Sequence, residues 1–291
     1  MARAPFPRLD PQRLVPVQLR RARKFYLRHG RLPPLVDFET FNDKVQWRVT
    51  RDRRELLRLT CDKLAMKEHA ARLAPGLTRT PETYWFGTDV AELRDVDLPA
   101  NWVLKPNHAS QRVVISGGPA DVEALAAEVE GWVSEPYWRR SGEWAYRTAR
   151  PGLLVEEFIG TPGEVPADLK LFVFDGRPRA IAVHSRDGNV HRARYYTPDW
   201  EPLPWNGGYA PGPDTARPER LEDMLKAASQ LAADFDMMRV DFYEHDGVLW
   251  FGELTPYPAA GLARYEPELD RLLGSWWQLP VSGTRRLLRL R

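Results

Sequence analysis

Hydrophobic and polar positions along the chain fall into two rhythms, a helical one at both ends and an alternating one between. Residues 11–30 set Leu14, Val15, Val17, Leu19, Phe25, Tyr26 and Leu27 among Arg20, Arg21, Arg23, Lys24 and Arg28, which predicts an amphipathic helix closed by Gly30. Its basic face reads as solvated, with docking onto an anionic surface as the alternative. After Pro33-Pro34, the spacing of Val45, Trp47, Leu56, Leu57, Leu64 and Met66 predicts a helical stretch from Asn42 to His69, ended by Pro75-Gly76. Strand texture follows, with Thr83-Tyr-Trp-Phe86 and Trp102-Val-Leu104 as short apolar runs, then a helix from Asp121 to Val133 with Asp121 or a neighbour as its N-cap. Strands return at 153–155, 169–174 and 180–183, the last two joined by the turn signal Asp175-Gly176. A helix from Arg217 to Phe235 precedes a second strand-turn-strand unit, Met237–Tyr243 and Val248–Leu254 around His245-Asp-Gly247. Arg285 to Arg291 reads as a basic helical tail.

At 291 residues the length allows about two compact units at roughly 150 residues each, and 43% apolar residues suffice for a real core. The 42 basic and 40 acidic residues leave a formal charge of +2, too balanced for a nucleic-acid or membrane coat. A single cysteine, Cys61, excludes an internal disulfide or a zinc site built on several thiolates, and fits a reducing compartment. With no run of 18 apolar residues and no apolar leader segment, a cytoplasmic protein without a transmembrane segment is expected. Only seven cations are lysines, at 24, 44, 63, 67, 105, 170 and 226, so a lysine inside a motif carries more weight than an arginine.

The common phosphate-loop, dinucleotide, zinc-protease and nucleophile-elbow motifs are absent. Four other features carry chemistry. In the closing hairpin, Asp241 and Glu253 share a face if the turn is effectively three residues, pairing Glu244 with Val248 and Arg239 with Glu253. Such an acidic pair suits magnesium that keeps several waters and bridges phosphates, although an exposed, solvated hairpin would show the same residues. Lys105 ends an apolar strand and precedes a polar loop, placing an ammonium where loop N–H groups could close on phosphate. Leu153 to Gly160 runs an apolar strand into Glu156-Glu157 and a loop, a hinge that can offer backbone groups to a flat base. Lys63 and Lys67 lie four residues apart on one helix face, with Asp62 beside Lys63.

Taken with their order, these stretches resemble the ATP-grasp superfamily, and within it the TupA-like branch associated with teichuronopeptide and other cell-surface polymer synthesis. The resemblance rests on Phe41-Asn-Asp-Lys-Val-Gln-Trp47, Asp62-Lys63, Val103-Leu-Lys-Pro-Asn-His108, Glu143-Trp-Ala-Tyr146, Leu154-Val-Glu-Glu-Phe158, Asp168-Leu-Lys-Leu-Phe172, Arg239-Val-Asp-Phe-Tyr243 and Phe251-Gly-Glu-Leu-Thr255. It covers roughly residues 38–262. It implies an ATP-grasp fold, two α+β subdomains clasping ATP beside a helical N-terminal region. The boundaries expected are 1–76 for that region, 77–157 for the smaller subdomain, 158–262 for the central, metal-binding subdomain and 263–291 for a basic C-terminal tail. Lys63 and Lys105 would lie on the phosphates. Glu156 and Ile159 would give backbone groups to the adenine, with Glu157 near, and Asp168 would hold the ribose. Lys170 would point to the γ-phosphate or an acyl phosphate, and Asp241, Glu253 and Thr255 would be the Mg2+ ligands. Thr255 stands where the superfamily commonly has asparagine, and the TupA-like branch is similar in having threonine there; the loop His108–Gln111 lacks the glycines common in the superfamily.

The expected activity is ADP-forming carboxylate–amine ligation in cell-surface polymer or specialised-metabolite synthesis. An anionic intermediate then needs a cation, and Arg186, followed by Arg194 and Arg192, is expected to supply it, with Arg239 bridging phosphate and metal. Expected partners are the small-molecule carboxylate and amine, with no nucleic acid and a homodimer left open. The alternatives are an ATP-grasp kinase acting on a hydroxyl and a nucleotide-binding protein without turnover.

Overall fold

The computed structural model describes residues 15–161 and 166–280. The chain opens with α1 (Val17–His29), which ends at Gly30 in a left-handed conformation. The long helical stretch expected next is divided into α2 (Phe41–Arg51), α3 (Leu56–Leu59) and α4 (Lys63–Leu73). The divisions have local causes. Thr40 and Asp43 form a reciprocal capping box that starts α2, and Asp62 accepts from the Ala65 N–H to start α4. The predicted basic segment at 285–291 lies outside the described residues. Just before it, α8 (Pro267–Trp276) is an amphipathic helix that buries Leu269 and Leu273.

Two sheets, antiparallel except where a short strand joins the edge of the larger one in parallel, follow from the alternating stretches. The smaller contains β1 (Thr83–Gly87), β2 (Asn101–Pro106), β3 (Val114–Gly117) and β4 (Leu153–Glu157) in the order β1-β4-β2-β3. Helices α5 (Val122–Glu128) and α6 (Tyr137–Ser141) lie between β3 and β4 in sequence, and α5 is capped by the expected Asp121. The larger sheet is built on β5 (Asp168–Phe174), β6 (Arg177–Asp187), β7 (Val190–Tyr196), β10 (Met237–His245) and β11 (Val248–Thr255), ordered β11-β10-β5-β6-β7, with short strands β8 (Pro202–Leu203) and β9 (Ala210–Pro211) beside β7. Helix α7 (Leu221–Leu231) packs across β5, β6 and β10.

Each sheet has its own core. Trp85, Trp102, Leu104, Leu125, Trp132 and Val155 form one cluster with the smaller sheet. The other joins the larger sheet to the N-terminal helices, α7 and α8. On the larger sheet, Lys170, Phe172 and Phe174 alternate onto one face, and the ring of Phe41 packs edge-on against the last two. Helices α2 and α8 therefore cover the half of this face that carries Phe172 and Phe174. The half carrying Asp168, Lys170, Asp241 and Glu253 opens instead into a cavity shared with the smaller sheet. Among the described residues, no helix is long and apolar enough to cross a membrane.

Candidate active site

The hairpin β10–β11 brings the acidic pair together by a route that differs from the expected one. The turn is two residues, Asp246 and Gly247, both with positive φ, so His245 pairs with Val248 and Glu244 with Leu249 rather than with Val248. An unbroken ladder from that turn would put Asp241 opposite Gly252 and leave Glu253 on the other face. A bulge at Gly252 inserts the missing residue, and Asp241 stands opposite Glu253 while Arg239 stands opposite Thr255. The odd residue that the acidic pair requires lies in the strand and not in the turn. Neighbouring β5 then sets Lys170 opposite Asp241, so the functional row crosses three strands.

Arg239 occupies the centre of this row. Its guanidinium donates to both oxygens of Asp241 at 2.7 and 2.6 Å, to Glu253 Oε1 at 3.2 Å and to Thr255 Oγ1 at 3.1 Å, and the Thr255 hydroxyl donates to Glu253 at 2.7 Å. Lys170 donates to Asp241 at 3.0 Å and also contacts Asp168. Burial works against the charge on Asp241, but Arg239 and Lys170 hold its carboxyl below the ordinary range. Asp168 moves the other way, because burial and the charge of Asp241 outweigh what Lys170 returns.

Across the cavity, Lys63 begins α4 and its ammonium donates to the Ala109 carbonyl of the β2–β3 loop. Asn107 holds that arrangement: its carbonyl accepts the Lys63 N–H at 3.3 Å, its Oδ1 the Leu64 N–H at 3.0 Å, and its own N–H reaches Gly152. Burial, then the nearby Lys105, lowers the Lys63 ammonium to about 8. Lys105 and Lys67 both contact the Glu156 carboxylate, Lys67 at 3.1 Å, and together they hold it ionised against its burial.

These groups line two chambers. The first, about 510 Å³, has Lys67, Lys105, Asp168 and Asp241 with the apolar Val103, Ile115, Phe158, Ile159 and Phe251, and Glu156 and Glu157 at its edge. The second, about 660 Å³, has Arg239, Thr255, Glu143, His191 and Tyr209 together with Arg21 and Lys24 of α1. Lys63, Gln111, Arg112, Lys170 and Glu253 line both, so the chambers meet at a cation-rich junction. Arg186, Arg192 and Arg194 line neither. Register explains two of them: Arg194 stands opposite Val183, which stands opposite Leu169, so Arg192 and Arg194 alternate onto the face away from Lys170. There they pair with Asp187 at 3.1 Å and Asp214 at 2.5 Å. Arg186 shares the face of Lys170 but sits at the end of β6, opposite His191. Gln111, Arg112, Glu143 and Arg21 were not anticipated as site residues. For two of them a signal existed: the Glu-Trp-Ala-Tyr stretch for Glu143 and the polar loop His108–Gln111 for Gln111.

The family model described as TupA-like ATPgrasp matches residues 43–278. The chain belongs to the TupA-like ATP-grasp family. That match runs through both sheets and every residue of the row from Asp168 to Thr255. Among solved structures, the TupA-like chain is similar to the D-alanine–D-alanine ligase of Bacillus anthracis, with 19% identity and a TM-score of 0.42 over 68% of this chain and 57% of that one. It is also similar to the ATP-grasp ligase PsnB complexed with a minimal precursor, at 13% identity and a TM-score of 0.41 over 70% and 54%. An ADP complex of N5-carboxyaminoimidazole ribonucleotide synthetase gives 14% identity and a TM-score of 0.43 over 69% and 46%. The chain thus spans about half the length of these structures. No curated protein matches it.

Proposed function

We propose that this TupA-like ATP-grasp protein is an ADP-forming carboxylate–amine ligase that joins two small molecules through an acyl phosphate. The observation that carries the reading is the junction: a chamber with apolar walls and a lysine-rich end opens into a second, polar chamber, and Lys63, Lys170 and Glu253 face both. ATP would lie in the first chamber, its base against Phe158, Ile159 and Phe251 and its phosphates toward Lys63, Lys105 and Lys170. A carboxylate entering from the second chamber would then meet the γ-phosphoryl group at the junction.

The chemistry follows from charge. A carboxylate oxygen attacks the γ-phosphorus, ADP leaves, and an amine attacks the acyl carbon through an anionic tetrahedral species before phosphate departs. Lys63 and Lys170 offset the phosphate charge. Arg239 faces the second chamber and is held by Asp241, so it is the preorganised cation for the intermediate, the role first expected of Arg186. The donor set on this row fits magnesium: Asp241 and Glu253 offer hard oxygens on facing strands, and among the described residues no third acidic or imidazole ligand joins them, which leaves positions for phosphate and water. A magnesium ion held by Asp241 and Glu253 would supply positive charge to offset that of the phosphates. Thr255, hydrogen-bonded to Glu253, orients that carboxylate.

The test is ADP release from Mg-ATP against a panel of amino acids, uronates and short peptides, with and without hydroxylamine, with products identified by mass. A carboxylate-dependent hydroxamate is expected. A stable phosphorylated alcohol without hydroxamate would replace the ligase reading with a kinase. The double substitution Asp241→Asn with Glu253→Gln should abolish turnover, and turnover near the native rate would remove the pair from the mechanism. A role in cell-surface polymer synthesis, in the cytoplasm, is part of the proposal and is tested by which carboxylates of the panel react.

A further inference from the structure

Glu143 lines the second chamber, is 4% exposed, and its Oε2 has no hydrogen-bond partner. Its surroundings make that unexpected. The opposite charge that acts on it most is Arg21, whose guanidinium is directed elsewhere, to the Ser141 carbonyl at 3.1 Å, Gln46 Oε1 at 2.9 Å and the Ala260 carbonyl. Among the described residues no ion pair joins the two, since the guanidinium is engaged by those acceptors and Glu143 Oε2 has no donor. Burial raises the Glu143 carboxyl, and Arg21 with the hydroxyls of Ser141 and Tyr137 returns only part of the shift. A buried carboxylate oxygen without a donor is unfavourable, the more so when charged, so a ligand that supplied the donor would gain from a site already desolvated.

The other lining groups narrow what that ligand is. Lys24, Arg112 and Arg140 stand on the same walls, so an anionic group is accommodated beside them, away from Glu143 and from Glu253 at the junction. We propose that Glu143 is the amine-receiving carboxylate of the second chamber, the group that binds the ammonium of the acceptor and takes one of its protons before attack. This rests on the ligase reading above. The acceptor class it implies is a primary amine that also carries an anionic group. The step balances: the ammonium gives one proton to Glu143, the free amine forms the C–N bond, the second amine proton passes to the departing phosphate as its C–O bond breaks, and Glu143 returns its proton to solvent. Without a base, an alkylammonium at neutral pH is almost wholly protonated and cannot attack.

Hydroxylamine separates this role from all others, because it is largely unprotonated at neutral pH and needs no base. In Glu143→Gln, hydroxamate formation with the reactive carboxylate should stay within about twofold of the native protein. Amide formation with an amino-acid panel should fall about 100-fold at pH 7 and recover about tenfold per pH unit, as the free-amine fraction grows. Glu143→Asp, which keeps the charge, should fall between. Equal loss of hydroxamate and amide would give Glu143 a structural role, and a loss of amide that pH does not relieve would remove the proton transfer; either overturns the proposal while the ligase reading stands. Absence of hydroxamate in the native protein across the panel would overturn both.

Discussion

Lys63 shows how one side chain reports on the whole site. Its ammonium is lowered from 10.5 to about 8 by burial and by Lys105, so in the free protein it loses its proton across a range where an exposed lysine keeps it. The sign for stability follows. Between about pH 8 and the unfolded value the unfolded chain binds the extra proton, so this group's destabilising contribution is full below pH 8 and is relieved as pH rises. For a polyphosphate the sign is opposite, because the anion favours charged Lys63. ATP affinity should therefore weaken as pH rises through about 8, and binding at pH 8.5–9 should take up a proton. Calorimetry in two buffers of different ionisation enthalpy measures this directly, and Lys63→Met should abolish the uptake. Identical heats in the two buffers would mean that Lys63 does not meet the phosphates. At this scale the sequence was most legible where a rare residue ended an apolar run, as at Lys105, whereas Lys63 and Lys170 stood out as scarce lysines inside the stretches that carry the resemblance. It offered only the Glu-Trp-Ala-Tyr stretch for Glu143 and was silent on Arg21, whose place in the site depends on a contact between α1 and the end of α6.

At the scale of elements, period-2 alternation placed β10 and β11 correctly and required an odd residue between Asp241 and Glu253. It could not say where. The turn was the natural place, yet Asp246-Gly247 makes a two-residue turn and the bulge falls at Gly252, because only tertiary pairing with β5 fixes which half of the hairpin must stay regular. The same alternation, carried through β6 into β7, removes Arg192 and Arg194 from the site, a result hidden until the partner strands are known. A Cβ at Gly252 would stand 3.0 Å from the Asp241 carbonyl and 3.1 Å from the Tyr243 ring. Gly252→Val should therefore displace Asp241 against Glu253 while the rest of the sheet persists, and turnover should fall roughly 100-fold, as for a displacement of about 1 Å at a reacting centre. Far-UV circular dichroism near that of the native protein is the control. Native turnover in this variant would show that the bulge can move without loss. The buried Arg48 acts at the same scale: it donates to Met237 and Pro256 carbonyls at 2.8 and 3.1 Å and to Asp236 at 2.7 Å, tying α2 to both ends of the hairpin. Arg48→Met should destabilise the fold by about 3 kcal/mol, read from urea unfolding, since it leaves buried acceptors without a donor.

For the whole molecule, the division of the core decides where the protein opens. Among the described residues, the cluster of the smaller sheet contains 11 buried residues and the other contains 38, and the two share none. What joins them is polar: Asp62 to the Arg150 N–H at 2.9 Å, Lys67 to Glu156, and Arg79, which exchanges backbone hydrogen bonds with Leu249 and Phe251. Polar links exposed in part to water hold less firmly than packed side chains, so the smaller sheet should be the first cooperative unit to open. Nucleotide bound as proposed would change that balance, because it would touch both sheets at once and be released when either opened. At 100 times its dissociation constant it adds about 2.7 kcal/mol to every opening that dismantles the site, equivalent to roughly 100-fold slower exchange. Amide exchange should accordingly be faster in β2, β3 and β4 than in β5, β6 and β10 of the free protein, and Mg-ATP should slow the first group most. Lys105→Ala, on the smaller sheet, and Asp241→Asn, on the larger, should each remove that protection, since each breaks the bridge from one side. Protection confined to the larger sheet would mean that nucleotide binds without engaging the smaller one, and the clasp inferred from the shared chamber would be wrong.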